Sequence, residues 1–168
     1  MKNKGAAKDQ PMTVRPAAVA DVEAMEDLAD QKRLHYEQYQ PVFQRPSQGA
    51  RRVHSDVLKA MLSKPGALLL VAVDGAGIQG FIAGSLVDAP PVYNPGGKVC
   101  AVDDFMVRGP AQWPTVGKAL LDAVLAKAKQ SGAVLGNVVC GPLDQPKRDF
   151  LAGQGFGVAS EWRVKVLK

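Results

Sequence analysis

Residues 112–124 read "QWPTVGKALLDAV", and the reading of this stretch decides the fold. Leu120, Leu121, Val124, Leu125 and Ala128 recur at helical spacing, so an amphipathic helix is expected over about 114–130. Pro114 suits its first turn, where a missing N–H would be unpaired anyway. "KVCAVDDFMV" (98–107) upstream and "AVLGNVVC" (133–140) downstream read as strands, the second one buried. A strand–helix–strand crossover makes those two strands parallel.

Working outward, "ALLLVAVD" (67–74) and "IQGFIAGSLVD" (78–88) flank "GAG" and form a hairpin, with Gly80 and Gly84 marking a bend or bulge. "MTVRPA" (12–17) is a short strand closed by Pro16, and Asp21 is placed to cap a helix running to Tyr36–Tyr39, with Val22, Met25, Leu28 and Ala29 inward. A second helix covers about 51–63, with Val53, Val57, Leu58 and Met61 on one face. "DQPKRDFLAGQG" (144–155) is a short helix, and "VASEWRVKVL" (158–167) alternates as a last strand in which Trp162 packs. The expected order is β-α-α-β-β-β-α-β-α-β. This is an α/β (α+β) fold with a mixed sheet and helices on both faces.

At 168 residues the chain suits one domain over 12–168, preceded by a flexible leader at 1–11. The leader lacks the apolar stretch of a secretory signal, and no apolar run approaches the roughly 20 residues of a membrane span. Cys100 and Cys140 sit in apolar runs, which reads as buried reduced thiols in a cytoplasmic protein rather than a disulfide or metal site. The net charge of +5 is scattered, without the basic, aromatic-interleaved stripe of a nucleic-acid binder. "RRVH" (51–54) reads as a solvated helix end, and His35 and His54 as isolated surface residues.

A helix that starts directly after a strand presents free N–H groups and a positive dipole end, which suits phosphate oxygens. The segment is not a Walker loop, because Gln112 replaces its first glycine and Ala119 its hydroxyl residue. Nor does it hold the three glycines of a dinucleotide fingerprint. It resembles the acyl-CoA pyrophosphate loop of the GNAT superfamily of N-acyltransferases, written [QR]-x-x-G-x-[GA]: Gln112 follows Val107 by five positions and Gly117 takes the last place. Thr115 stands where that family usually has glycine; Pro114 presets a helical φ, so residue 115 can be right-handed without strain. "TVRPAAVADVEAMEDLA", "VDDFMV" and "FLAGQGF" (150–156) extend the resemblance over about 12–167.

The resemblance implies a mostly antiparallel sheet of about six or seven strands and transfer of an acetyl or short acyl group from acetyl-CoA to a primary amine. The backbone of Phe105, Met106 and Val107 would hold the acyl-pantetheine arm, and Gln112, Trp113, Pro114, Thr115, Val116, Gly117 and Lys118 the pyrophosphate. Trp113 itself reads as an exposed-loop aromatic, set against adenine or a partner, or equally as a packing residue. Asp103 is the candidate proton acceptor, with Asp104 second; strand alternation puts the two on opposite faces. "HYEQYQPVF" (35–43) falls where the family binds its acceptor, so Tyr36, Tyr39, Phe43 and, from a later loop, Tyr93 are candidate substrate contacts. The usual acidic tyrosine is replaced by Leu151. That departure keeps open a non-catalytic acyl-CoA-binding or regulatory module. The resemblance allows a homodimer, and implies no metal, membrane or nucleic-acid partner.

Overall fold

The structure is a computed structural model that describes residues 10–167; residues 1–9 of the expected leader lie outside it. The strands are β1 (Thr13–Pro16), β2 (Ala67–Asp74), β3 (Gly77–Val87), β4 (Lys98–Val107) and β5 (Ala133–Val138). The helices are α1 (Val22–Tyr39), α2 (Ala50–Met61), α3 (Lys118–Gln130) and α4 (Gln145–Gly153). The strands form one sheet in the order β1-β2-β3-β4-β5. Only β4 and β5 run parallel. Among the described residues no helix is long and apolar enough to cross a membrane.

The sheet therefore has five strands, not six or seven. Residues 158–167 form no strand despite their alternation, and Trp162 is 82% exposed rather than packed. β5 is an edge strand with Val134 and Leu135 exposed, so the expectation of a buried strand is corrected as well. An apolar run cannot distinguish a strand covered on both faces from one at the rim of the sheet.

Two apolar layers sandwich the sheet. On one face Val22, Met25, Leu28 and Ala29 of α1 and Leu58 of α2 meet Leu69, Val71, Phe81 and Met106. On the other, Leu120, Leu121, Val124 and Ala128 of α3 pack with Leu70, Ile82, Val102 and Phe105. Val53 and Val57 of α2 are exposed; the inward stripe of that helix is His54, Leu58 and Met61 instead. Asp21 does not cap α1. Its carboxylate accepts the Ala18 N–H (2.8 Å) and pairs with Arg15 (2.7 Å).

The chain enters α3 through a 3-10 turn (Pro110–Gln112) and a π turn (Trp113–Gly117). The Trp113 indole is buried, stacked on Phe150 (5.4 Å between centroids) and edge-on to Phe105 (4.9 Å), which corrects its reading as an exposed aromatic. Gly117 lies under it, and a Cβ there would sit 2.7 Å from the indole Cε3. In an ordinary helix Gly→Ala is stabilising by about 0.5–1 kcal/mol. Here Gly117→Ala is expected to destabilise by about 1–3 kcal/mol through overpacking. Urea unfolding checks the sign, and the penalty disappears in a Trp113→Leu background.

Candidate active site

Two irregularities meet on β4. Its pairing with β3 shifts between Ala83↔Asp104 and Gly84↔Val102, so Asp103 is the extra residue of a β-bulge. Gly84 permits the close approach, since a Cβ there would lie 2.9 Å from the Ala101 carbonyl oxygen. On the opposite edge the ladder to β5 ends at Val102↔Val138, closed by a hydrogen bond from the Val139 N–H to the Val102 carbonyl (3.0 Å). From Asp103 to Val107 the outer edge of β4 has no strand partner among the described residues.

The bulge also changes which way side chains point. Val102 and Phe105, three positions apart, both pack on the α3 side, which strict alternation forbids. The bulge removes the simple alternation on which the expectation of opposite faces for Asp103 and Asp104 rests. Asp104 faces α1 and α2: its carboxylate meets Lys32 Nζ at 3.0 Å and His54 Nε2 at 2.9 Å. Burial raises its pKa, but the His54 hydrogen bond and the Lys32 charge win and hold it well below the usual carboxylate range. Asp103 is exposed and makes no hydrogen bond or ion pair among the described residues. Partial burial, then the Asp104 charge, push its carboxyl up, against Lys32.

His54 is not the isolated surface residue its sequence context suggests, nor is its segment a solvated helix end. It bridges Asp104 and the buried Glu26, whose Oε1 lies 2.6 Å from His54 Nδ1. That contact does not meet hydrogen-bond geometry, and Arg33 Nη1 approaches the same ring nitrogen at 3.2 Å. The Asp104 hydrogen bond raises the His54 pKa most; burial opposes this, and the charges of Asp104 and Glu26 add to it. Arg33 binds Glu26 and Asp30 (both 2.7 Å), and Arg51 ties Asp30 (2.7 Å) to Asp27 (2.9 Å). A continuous chain of charge thus runs from the surface of α1 and α2 to β4. It borders a cleft of about 250 Å³ lined by Lys32, Arg33, Tyr36, Gln44, His54 and Asp104.

Where β4 leaves β5, Lys147 of α4 fills the gap. Its ammonium donates to the carbonyls of Phe105 (3.1 Å) and Val139 (2.9 Å) and lies over the Phe105 and Trp113 rings. Burial, then the Lys32 charge, pull its pKa down to about 7.

The other sequence candidates divide. Phe105 and Met106 are buried on opposite sides of the sheet, and Val107 packs on the α3 side. Pro114, Thr115 and Lys118 are exposed at the start of α3, whereas Val116 and Gly117 are buried with Trp113. The Gln112 side chain accepts the Gly109 N–H (3.1 Å) and donates to Gln79 (3.0 Å), tying the turn to β3. Among the described residues no residue but glycine has positive φ, so the Thr115 backbone is unstrained. Tyr36 borders the cleft, but its hydroxyl donates to Asp144 (2.8 Å) and accepts from the Gly141 N–H (3.1 Å). Tyr39 lies against Tyr36, Phe43 against Trp162, and Tyr93 is 71% exposed in the β3–β4 connection; these three do not line the cleft. Leu151 is buried in the core.

Glu26, Lys32, His54 and Lys147 escaped the sequence reading, although three of them carry a signal. Glu26 shares the α1 stripe with Val22, Met25 and Ala29; His54 shares one with Leu58 and Met61; Lys147 shares one with Phe150 and Leu151. A charged residue in an apolar stripe marks a buried polar site.

The acetyltransferase (GNAT) family model matches residues 28–156. No curated protein matches the chain. Among solved structures, a mutant of the BH1408 protein of Bacillus halodurans superposes with TM-score 0.80 at 18% identity, over 93% of this chain and 99% of that one. A predicted acetyltransferase of Clostridium acetobutylicum, solved with acetyl-CoA, gives 0.71 at 18%, over 93% and 96%. The aminoglycoside N-acetyltransferase AAC(6')-Iy, solved with CoA, gives 0.69 at 15%, over 100% and 99%. At such identities these likenesses establish the fold.

The His54 bridge generates a pH signature. A folded pKa above the unfolded value of about 6.5 gives stability that is complete below that value and lost as pH rises through the folded one. The advantage of wild type over His54→Gln is therefore expected to be greatest in acid and to shrink as pH rises above about 6.5. Urea unfolding of both proteins from acid to mildly alkaline pH measures it; a pH-independent difference would contradict the raised pKa of His54.

Proposed function

The chain belongs to the acetyltransferase (GNAT) family, and from that premise we propose that it transfers an acetyl or short acyl group from acyl-CoA to a primary amine by direct attack. The observation that carries this reading is the unpartnered edge of β4 past Asp103, which borders the charged cleft on one side and leads into the start of α3 on the other. An open strand edge accepts an extended, amide-bearing chain through its backbone. Of the groups on that edge, the Phe105 carbonyl is already engaged by Lys147.

The start of α3 fits a diphosphate. Residues 108–118 contain Arg108 and Lys118 and no carboxylate, at the positive end of a helix. Gln112 through Lys118 would hold that group, and Phe105, Met106 and Val107 the arm. When bound, the coenzyme supplies an activated acyl thioester. The chain must supply a proton acceptor, because an alkylammonium has a pKa of about 10 and only its neutral form attacks.

Asp103 takes that role, directly or through one water. It is the carboxylate at the bulge with no cation bound to it, and its basicity is raised. Asp104 is a poorer base, because His54 and Lys32 stabilise its anion; it fixes the electrostatics of the cleft wall. Tyr36 lines the cleft with Tyr39 against it, and Tyr39, Phe43 and Tyr93 are further candidate acceptor contacts.

Buried Leu151 favours the second reading, a non-catalytic acyl-CoA-binding module, since it offers no proton where the family usually has tyrosine. Calorimetry with CoA and acetyl-CoA, followed by free-thiol release across an amine panel, tests both. Binding with turnover is expected, and binding without turnover selects the module. Asp103→Asn is expected to lower kcat/KM by about 10²- to 10⁴-fold while CoA affinity holds. An unchanged rate removes Asp103 from the mechanism.

A further inference from the structure

The acceptor cleft has a charge pattern that selects among amines, and the inference drawn from it rests on the acyltransferase reading. The carboxylates around the cleft are already committed. Asp104 is held by Lys32 and His54, Glu26 by Arg33 and His54, Asp30 by Arg33 and Arg51, and Asp27 by Arg51. Each of these four carboxylates thus already has a cationic or imidazole partner. Asp103 beside them is unpaired among the described residues and can accept one ammonium. Asp144, behind Tyr36, accepts the Tyr36 hydroxyl and the Lys147 N–H, so a second ammonium would find no uncommitted carboxylate among the described cleft-lining residues, and an uncompensated charge in a half-buried cleft is unfavourable.

The free hydrogen-bonding capacity is of the opposite kind. Lys32 has three N–H donors and one carboxylate partner, at 3.0 Å, and its side chain is 19% exposed at the cleft. The Tyr36 ring lies 5.4 Å from its ammonium, which restricts where the head group can go. The Gln44 carboxamide, on the same wall, makes no side-chain hydrogen bond among the described residues. Arg33 commits Nε and Nη2 to Asp30 and Glu26 and turns Nη1 to His54, whose Nε2 meets Asp104. Spare donors next to a single free carboxylate describe a site for an ammonium and an oxyanion on one molecule.

We propose that the acceptor is an amine that also bears an anionic group, a carboxylate or a phosphate, and that Lys32 with Gln44 binds that group while Asp103 faces the amine. Polycationic amines are the wrong class for this cleft, although aminoglycoside N-acetyltransferases share its fold. Lys32 sets specificity here through contact with substrate.

Calorimetric titration with paired amines tests the assignment, with and without saturating CoA. Amino acids are paired with their amides and 2-aminoethyl phosphate with ethanolamine; kanamycin and spermidine complete the set. In wild type, removing the anionic group is expected to weaken binding about tenfold or more, the scale of a charge-assisted hydrogen bond. Lys32→Gln is expected to abolish that difference and Lys32→Arg to keep most of it, with CoA affinity the same in all three. The carboxylate and phosphate arms identify which oxyanion is preferred. Equal binding of acid and amide, tighter binding of kanamycin or spermidine, or no amine binding at all would overturn the proposal. Failure of CoA to bind would overturn the acyltransferase reading instead, and the titrations without coenzyme would still decide the anion question.

Discussion

The structure is organised around one missing piece of ladder. After the Val102–Val138 rung β4 turns away from β5, and two backbone carbonyls are left facing a gap. Lys147 joins them with a buried amine that has no carboxylate partner among the described residues. Unpaired buried carbonyls are each unfavourable by about 1–3 kcal/mol, so a donor there offsets much of the loss of sheet pairing. The same side chain fixes the first turn of α4 against the sheet. With α4 in place, Phe150 closes over the Trp113 indole, and the turn before α3 is pinned from below.

The other face of β4 is governed by charge rather than by packing alone. The bulge at Asp103 brings two consecutive carboxylates to the junction of α1, α2 and the sheet, and the helices answer with Lys32 and His54. Because Glu26 is buried, its ion pairs are strongly interdependent: losing Arg33 or His54 strands a carboxylate with no access to water. The cleft wall is consequently a rigid electrostatic surface, and the one loosely held carboxylate stands beside it. The bulge thus separates a fixed anion, Asp104, from one with no bound cation among the described residues, Asp103.

Much of this was legible in the sequence where local periodicity decides. The stripes of α1 and α3, the β2–β3 hairpin, and the glycines beside both register shifts follow from spacing and turn chemistry. What was not legible depends on partners distant along the chain. Alternation cannot show that Asp103 is the extra residue of a bulge, because the shift exists only relative to Gly84 and Ala83 on β3. Val134 and Leu135 look like core residues until the sheet is seen to stop at them. Residues 158–167 carry strand alternation without finding a neighbour to pair with. His54 looked solitary because its two carboxylates come from positions 26 and 104.

The contact between Gly117 and the Trp113 ring has a consequence for how such chains are compared. The final glycine of the motif is normally credited to close approach of a coenzyme, yet here an indole four residues earlier already excludes any larger residue. The two positions should therefore drift as a couple: chains that trade the tryptophan for something smaller become free to carry alanine or serine at the second site. Presence of the glycine is then a record of aromatic packing, and it would outlast the loss of the cofactor itself.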